Sequence, residues 1–100
     1  MMSKVSTLSV NDVLVQCDGN IVSDMDGEKV MLSVIKGKYY NLGEVGGDIW
    51  NTLITPITVK EVIQTIQTAY EVEADICEQD VISFLQHLLD EELIRFSHAE

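Results

Sequence analysis

Cys77, Asp80 and His87 are the residues whose types and spacing come nearest to a reactive group of side chains. On one side of a helix they could hold a metal ion, or Cys77 and His87 could form a nucleophilic pair. Cys77, however, falls on an apolar stripe, where a thiol behaves as a small hydrophobic side chain. Nucleophilic catalysis also needs an orienting group and an oxyanion hole, and no pattern marks either. We therefore expect no catalytic residue, no metal and no cofactor.

The run Gly43-Glu44-Val45-Gly46-Gly47 has the glycines of a phosphate-binding loop but lacks the lysine that follows them in such loops. Carboxylates are numerous but scattered, which is typical of a solvated acidic surface. The sequence thus indicates a binding protein rather than an enzyme.

The chain carries 17 acidic and 6 basic residues, for a formal net charge of −11. Ten of the acids lie in residues 51–100, where Lys60 and Arg95 are the basic residues. This balance argues against nucleic acid and against anionic membrane surfaces, since both are bound through cations. Two interpretations stay open: the charge confers solubility, or the acidic second half receives a basic partner.

One hundred residues with 46% hydrophobic side chains are enough for one small domain. Two cysteines sixty residues apart exclude a disulfide-dense scaffold, and the N-terminus lacks the apolar segment of a signal peptide. No apolar run is long enough to span a membrane. We expect a flexible N-terminus over residues 1–12, a single domain over 13–97 and a cytoplasmic location.

Residues 13–42 have the pattern of β-strands. Asp26-Gly27 predicts a tight hairpin between strands at 21–25 and 29–35, because glycine tolerates positive φ. Gly37 predicts a second turn before a third strand at 38–42. The result is a three-stranded antiparallel meander, to which residues 13–16 could add at one end.

After Gly43 the apolar spacing becomes helical, with one face formed by Val45, Ile49, Trp50 and Leu53. Thr58 and Glu61 form a capping box that predicts the start of a second helix. A third helix is expected over about 75–91 with Asp75 as its N-cap, followed by a short extended tail at 93–96. Its core stripe is predicted to consist of Cys77, Val81, Phe84 or Leu85, Leu88 and Leu89. The order β-β-β-α-α-α predicts an α+β domain with helices segregated from the sheet.

Two features could bind a ligand. The strand 38–42 lies at a sheet edge and carries apolar and aromatic side chains, so it is poorly protected against pairing. Beside the core stripe of the third helix runs a mixed line formed by Asp80, Phe84 (or Ser83) and His87. An open edge and a helix wall together suit an extended peptide bound by strand addition. The alternatives are an edge covered by a helix or the tail, and an ordinary boundary between core and solvent.

The stretch from Gly37 to Trp50, with the sequence GKYYNLGEVGGDIW, resembles the run that joins the last strand to the first helix in PqqD-like proteins. Later pieces agree in order, and the resemblance covers residues 20–96. They are Thr58–Ile63, Tyr70-Glu71-Val72, Asp80-Val81 with Phe84-Leu85, and Leu88-Leu89 before Leu93-Ile94. Gly43 departs from the pattern, since many relatives have asparagine there.

The resemblance implies a winged-helix-like domain that binds the leader segment of a ribosomally made precursor peptide, a RiPP recognition element. The leader would lie as an added strand between the third strand and the third helix. The run of Tyr39 to Gly46 is most similar to stand-alone recognition proteins of lasso-peptide clusters, whose partners are a separate cysteine peptidase and an ATP-dependent cyclase. A peptide chaperone of another pathway, such as a radical SAM system, is the alternative.

A winged-helix regulator of DNA is a further alternative, but the third helix carries no lysine or arginine. Tyr39 and Tyr40 must point to opposite sides of their strand, and we expect Tyr39 to face the groove. The residues expected to bind the leader are Lys38, Tyr39, Tyr40, Asn41, Leu42, Asp80, Phe84 and His87.

Overall fold

The computed structural model describes residues 8–97, which form two small antiparallel sheets and three helices. The strands are β1 (Val13–Gln16), β2 (Asn20–Met25), β3 (Glu28–Ser33), β4 (Lys38–Leu42), β5 (Ile57–Thr58) and β6 (Ile94–Phe96). The helices are α1 (Gly43–Thr52), α2 (Val59–Tyr70) and α3 (Ala74–Asp90). The predicted α+β architecture, with the meander preceding three helices, is confirmed.

Strands β2, β3 and β4 form the predicted meander, with β3 in the centre. Asp26 and Gly27 have φ values of 57° and 86°, as a two-residue hairpin turn requires, and Met25 pairs with Glu28 across it. This turn fixes the register of β2 on β3, and the pairing of β4 with β3 extends the same two faces to the third strand. The inner face carries the row Val22, Met31 and Tyr40, and the outer face carries Ile21, Leu32 and Tyr39.

Residues 13–16 do not extend the meander, so that expectation was wrong. β1 lies between β5 and β6 in a second sheet, where Leu14 and Val15 are both buried. Two consecutive buried residues need cover on both faces of a strand, which an edge of the meander would not give. The predicted tail, as β6, supplies one of the two partners of β1.

Part of the segment expected to be flexible packs on the domain. Leu8 is buried, and the carbonyl oxygens of Val10 and Asp12 accept hydrogen bonds from the backbone of Lys60 and Val59, each at 3.0 Å. This contact joins residues 8–12 to the first turn of α2. Residues 1–7 and His98 lie outside the described residues.

The helix starts follow local capping chemistry. In α2 the Thr58 hydroxyl accepts from the Glu61 amide, and the Glu61 carboxylate accepts from the Thr58 amide, which confirms the capping box. α3 begins earlier than predicted, with Glu73 rather than Asp75 at the N-cap. Asp75 lies instead in the first turn, where its charge interacts favourably with the helix dipole.

The two glycines of α1 allow close approaches on two sides. A Cβ at Gly47 would collide with the Lys29 side chain of β3, and one at Gly46 would lie 2.8 Å from Cζ of Phe84 in α3. α1 therefore fits between the inner face of the meander and α3. None of the helices in residues 8–97 is both long and apolar enough to cross a membrane.

The core lies between α1, α2 and α3 and the inner faces of the sheets. On α3 the buried positions are Cys77, Val81, Leu85 and Leu88, while Phe84 is half-buried on the flank that faces β4. The core stripe of α3 predicted from the sequence is thus confirmed at these four positions.

Replacing Leu85 by alanine should lower the free energy of unfolding by about 2–5 kcal/mol, because the side chain is fully buried and its removal leaves a cavity. Gln79→Ala, at an exposed position of the same helix, is the matched control and should change stability by less than about 0.5 kcal/mol. Urea unfolding followed by circular dichroism measures both. Equal midpoints for the two variants would contradict this assignment of the helix face.

Candidate functional site

One edge of the meander is open on the side of α3. Within residues 8–97, β4 pairs with β3 and has no strand on its other side. The two-residue turn makes Met25 and Glu28 a hydrogen-bonded pair, and such pairs alternate along antiparallel strands. Along β3, this alternation directs the backbone groups of Met31 toward β4, where Met31 lies opposite Tyr40. The backbone of Tyr40 is therefore hydrogen-bonded to β3, whereas the backbone N–H and C=O groups of Tyr39 and Asn41 point to the open edge.

A groove runs between this edge and α3. α3 packs mainly on α2. Side-chain contacts connect it to β4. Tyr40 reaches Glu91 at the C-terminal end of the helix, whereas Leu42 and Phe84 meet at Gly46. β4 and α3 therefore run in opposite directions along the groove, which gives it two chemically different ends.

At the Leu42 end the groove opens into an apolar pocket of about 410 Å³. The Phe84 ring lies across Gly46 and forms one wall, and Asp80 is the carboxylate among the lining residues. Helices α1, α2 and α3, together with Val72 in the link between α2 and α3, supply the remaining lining. The lining residues are Leu42, Val45, Gly46, Ile49, Ile66, Tyr70, Val72, Cys77, Asp80, Val81 and Phe84.

Two groups of the pocket lining stay protonated at neutral pH. Burial raises the pKa of the Cys77 thiol, whose sulfur lies 3.7 Å from the Ile63 carbonyl oxygen. The Tyr70 hydroxyl donates to Asp48 at 2.5 Å, and this hydrogen bond raises the pKa of Tyr70 to about 12. A protonated thiol is a poor nucleophile and a poor metal ligand, so Cys77 here acts as part of an apolar wall.

The opposite end of the groove is polar. The Tyr40 hydroxyl donates to a Glu91 carboxylate oxygen at 2.9 Å, and Lys38 Nζ lies 3.7 Å from the same oxygen. The hydrogen bond from Tyr40 lowers the pKa of Glu91, and Lys38, Lys36 and His87 lower it further, against the opposing effect of desolvation. Glu91 is therefore firmly ionised at neutral pH.

The structure brings the side chains of five of the eight expected site residues to the groove. Leu42, Asp80 and Phe84 meet at the pocket, and Lys38 and Tyr40 lie at the polar end. Two of the other three have different surroundings. His87 lines a shallow depression on the outer side of α3, and the Asn41 side chain accepts from the Gly43 amide at 3.0 Å at the start of α1.

The expectation that Tyr39, rather than Tyr40, faces the groove was wrong. Tyr39 is 74% exposed on the outer face, opposite Leu32, while Tyr40 packs on the core and reaches Glu91 in α3. The alternation of the strand required one tyrosine on each side but could not say which. The register of β4 on β3 decides it, because it pairs Tyr40 with the buried Met31 and Tyr39 with Leu32.

Sequence reasoning missed Glu91 and much of the pocket lining. Glu91 is one of several acids near the end of α3, and no pattern distinguishes it from its neighbours. Val45 and Val72 were also missed, although the helical spacing of Val45 and Ile49 was a usable signal. Their shared environment depends on how α1 packs against α3, which the sequence does not show.

Comparisons with known proteins agree with this architecture. The family model described as "Coenzyme PQQ synthesis protein D (PqqD)" matches residues 28–94. Among solved structures, the chain is similar to TbiB1, solved in complex with the TbiA(beta) leader peptide, with a TM-score of 0.72 and 29% sequence identity. That match covers 86% of this chain and 99% of the other. No curated protein matches the chain.

The fold and the groove define a small α+β domain whose open sheet edge lies beside a helix. The chain belongs to the PqqD family, as the residues 37–50 and the later motifs predicted.

The Glu91 pairing should make stability depend on pH. A carboxyl whose pKa is lowered in the folded state stabilises it at pH values above the pKa of the unfolded chain, and this contribution is lost as pH falls through the folded value. Wild type should therefore melt at a higher temperature than Glu91→Gln at pH 7, and the difference should vanish well below pH 4.5, the ordinary value for a glutamate. A difference that persists at acid pH would contradict the pairing.

Proposed function

We propose that this chain binds the leader segment of a ribosomally synthesised precursor peptide as a fourth strand on the open edge of β4. It acts through affinity, without catalysis of its own. The observation that carries the proposal is the unpaired edge of β4 facing α3, with an apolar pocket at one end of the gap. TbiB1, solved with a leader peptide bound, is similar over 86% of this chain and supports it.

The backbone supplies affinity with little dependence on sequence. The outward N–H and C=O groups of Tyr39 and Asn41 offer up to four hydrogen bonds to an added strand, each contributing about 0.5–1.5 kcal/mol net. Any extended peptide can make these bonds. Discrimination between leaders must therefore come from side chains.

The pocket supplies that discrimination. In an added strand alternate side chains share a face, so one leader residue directed inward beside Leu42 enters the pocket. Burying a leucine- or phenylalanine-sized side chain there contributes about 1.5–3 kcal/mol. Asp80 is exposed at the pocket and can accept a hydrogen bond from the leader or pair with a leader cation.

We further propose that the bound precursor is presented to a leader peptidase and a cyclase of a lasso-peptide pathway, in the cytoplasm. Support comes from the run Tyr39–Gly46, which is most similar to stand-alone recognition proteins of that pathway. The alternative is a radical SAM pathway, in which the same groove would bind the leader and the partner would be a different modifying enzyme. The open reading frames beside the gene test the choice, since a peptidase and an asparagine-synthetase-like cyclase would accompany a lasso precursor.

The leader and core halves of the precursor encoded beside the gene, as two synthetic peptides, test the binding function. The leader should bind with a dissociation constant of about 1 µM or below, equivalent to about −8 kcal/mol, and the core should bind far more weakly. Fluorescence anisotropy measures both. Tighter binding of the core than of the leader would contradict the proposal.

Tyr39→Pro should weaken leader binding about tenfold, because proline removes one outward N–H from the edge and one pairing hydrogen bond with it. The fold should tolerate the change, since proline is accepted on edge strands where the N–H faces solvent. Tyr39→Ala is the matched control, and its binding should stay within about twofold of wild type, because the ring lies on the outer face. Calorimetric titration beside thermal melts gives both comparisons. Equal losses in the two variants would mean that the Tyr39 side chain, not its backbone, makes the contact.

A further inference from the structure

Five residues tie the β3–β4 hairpin to the C-terminal end of α3. The Tyr40 hydroxyl and Lys38 both meet the Glu91 carboxylate, at 2.9 Å and 3.7 Å. Lys36, in the turn between β3 and β4, donates to the Glu91 carbonyl oxygen and lies 3.8 Å from the Glu92 carboxylate. We call this group, Lys36, Lys38, Tyr40, Glu91 and Glu92, the strap.

The strap joins two elements that are otherwise held independently. β4 is fixed by its pairing with β3, and α3 is fixed by its packing on α2 and β6. Tyr40 lies on the inner face of β4 with its ring against the core, and Lys38 Nζ lies 5.9 Å from the centre of that ring. The Tyr40 ring therefore crosses from β4 to α3 on the inner, core-facing side of the sheet. It does not occupy the backbone N–H and C=O groups on the open edge of β4.

Stability alone does not account for this arrangement. Ion pairs between exposed side chains add little to folding, and Glu92 is 81% exposed. Glu91 is different, because its side chain is only 28% exposed and receives both Tyr40 and Lys38. The Glu91 carboxylate, at the end of α3, contacts two side chains of β4 across the groove. These contacts fix the position of β4 relative to the end of α3.

We propose that the strap sets the width of the leader groove, and that Glu91 is the residue that holds it. This inference rests on the proposed function. An added strand lies about 4.8 Å from its neighbour, so α3 must stand back from the edge of β4 by more than that spacing. With the strap in place the gap is preformed, and leader binding does not have to order the hairpin and the helix end.

Loss of the strap lowers the fraction of molecules whose groove has the right width. The apparent dissociation constant rises in inverse proportion to that fraction, and association slows because fewer molecules are competent at encounter. This kinetic signature differs from that of a lost leader contact, which mainly speeds dissociation.

The test uses the full chain with the leader peptide of the neighbouring precursor, and Tyr40→Phe, Glu91→Ala and the double variant. Each single variant should bind about threefold to tenfold more weakly through a slower association rate, the size expected for losing one hydrogen bond. The double variant should bind like Glu91→Ala alone, because Glu91→Ala already removes the acceptor of the Tyr40 hydroxyl. Glu91→Gln keeps an acceptor for the Tyr40 hydroxyl and should recover part of the affinity.

Asp24→Asn is the matched control. It removes an ion pair of the same sheet, at 3.1 Å from Lys29, on the strand furthest from the groove, and should bind like wild type. If wild type binds the leader and the strap variants bind equally well or more tightly, the strap does not set the groove. Additive losses in the double variant, or faster dissociation at an unchanged association rate, would also overturn it. Failure of wild type to bind the leader would contradict the proposed function instead.

Discussion

An unpaired strand edge is a liability that folded proteins usually cover, and the rest of this molecule is arranged around one that stays open. The edge of β4 presents backbone donors and acceptors that pair with any extended chain. α3 lies beside this edge without covering it, because its apolar stripe is turned toward α2 and the core. α3 therefore limits strand addition at this edge to an extended peptide whose side chains fit the groove.

The two ends of the groove differ in chemistry. Around Leu42 and Phe84 the environment is apolar and has space for a side chain, which the proposed function assigns to a residue of the leader. Around Tyr40 and Glu91 a charged, hydrogen-bonded group connects strand to helix. Gly46 belongs to the apolar end, where the absence of a Cβ allows the Phe84 ring to lie across it and form the pocket wall.

Local signals in the sequence predicted most of the fold. Asp26-Gly27 and the capping box at Thr58 act within a few residues, so their consequences could be derived without knowledge of the tertiary structure. β1 was misplaced because its partners, β5 and β6, lie more than forty residues away, and β5, with two residues, is too short to show a strand pattern. The start of α3 was misassigned because Asp75 fits both an N-cap and a first-turn position.

The candidate site was predictable as a strand and a helix flank but not as a set of contacts. Leu42, Asp80 and Phe84 followed from edge and helix periodicity, and they do line one pocket. The orientation of Tyr40 depends on the register of β4 on β3, which pairs it with the buried Met31. The position of Glu91 depends on how far α3 extends along the groove. Both are long-range consequences of packing, for which a single sequence carries no signal.

Amide hydrogen exchange resolved by residue, with and without the leader peptide, tests strand addition on β4 most directly. The account predicts that leader binding slows exchange at the amides of Tyr39 and Asn41, whose N–H groups point to the open edge, and hardly changes Tyr40, which is already bonded to β3. The outer edge of β2 should not change. Protection at the β2 edge, or leader binding that leaves Tyr39 and Asn41 unprotected, would contradict the account.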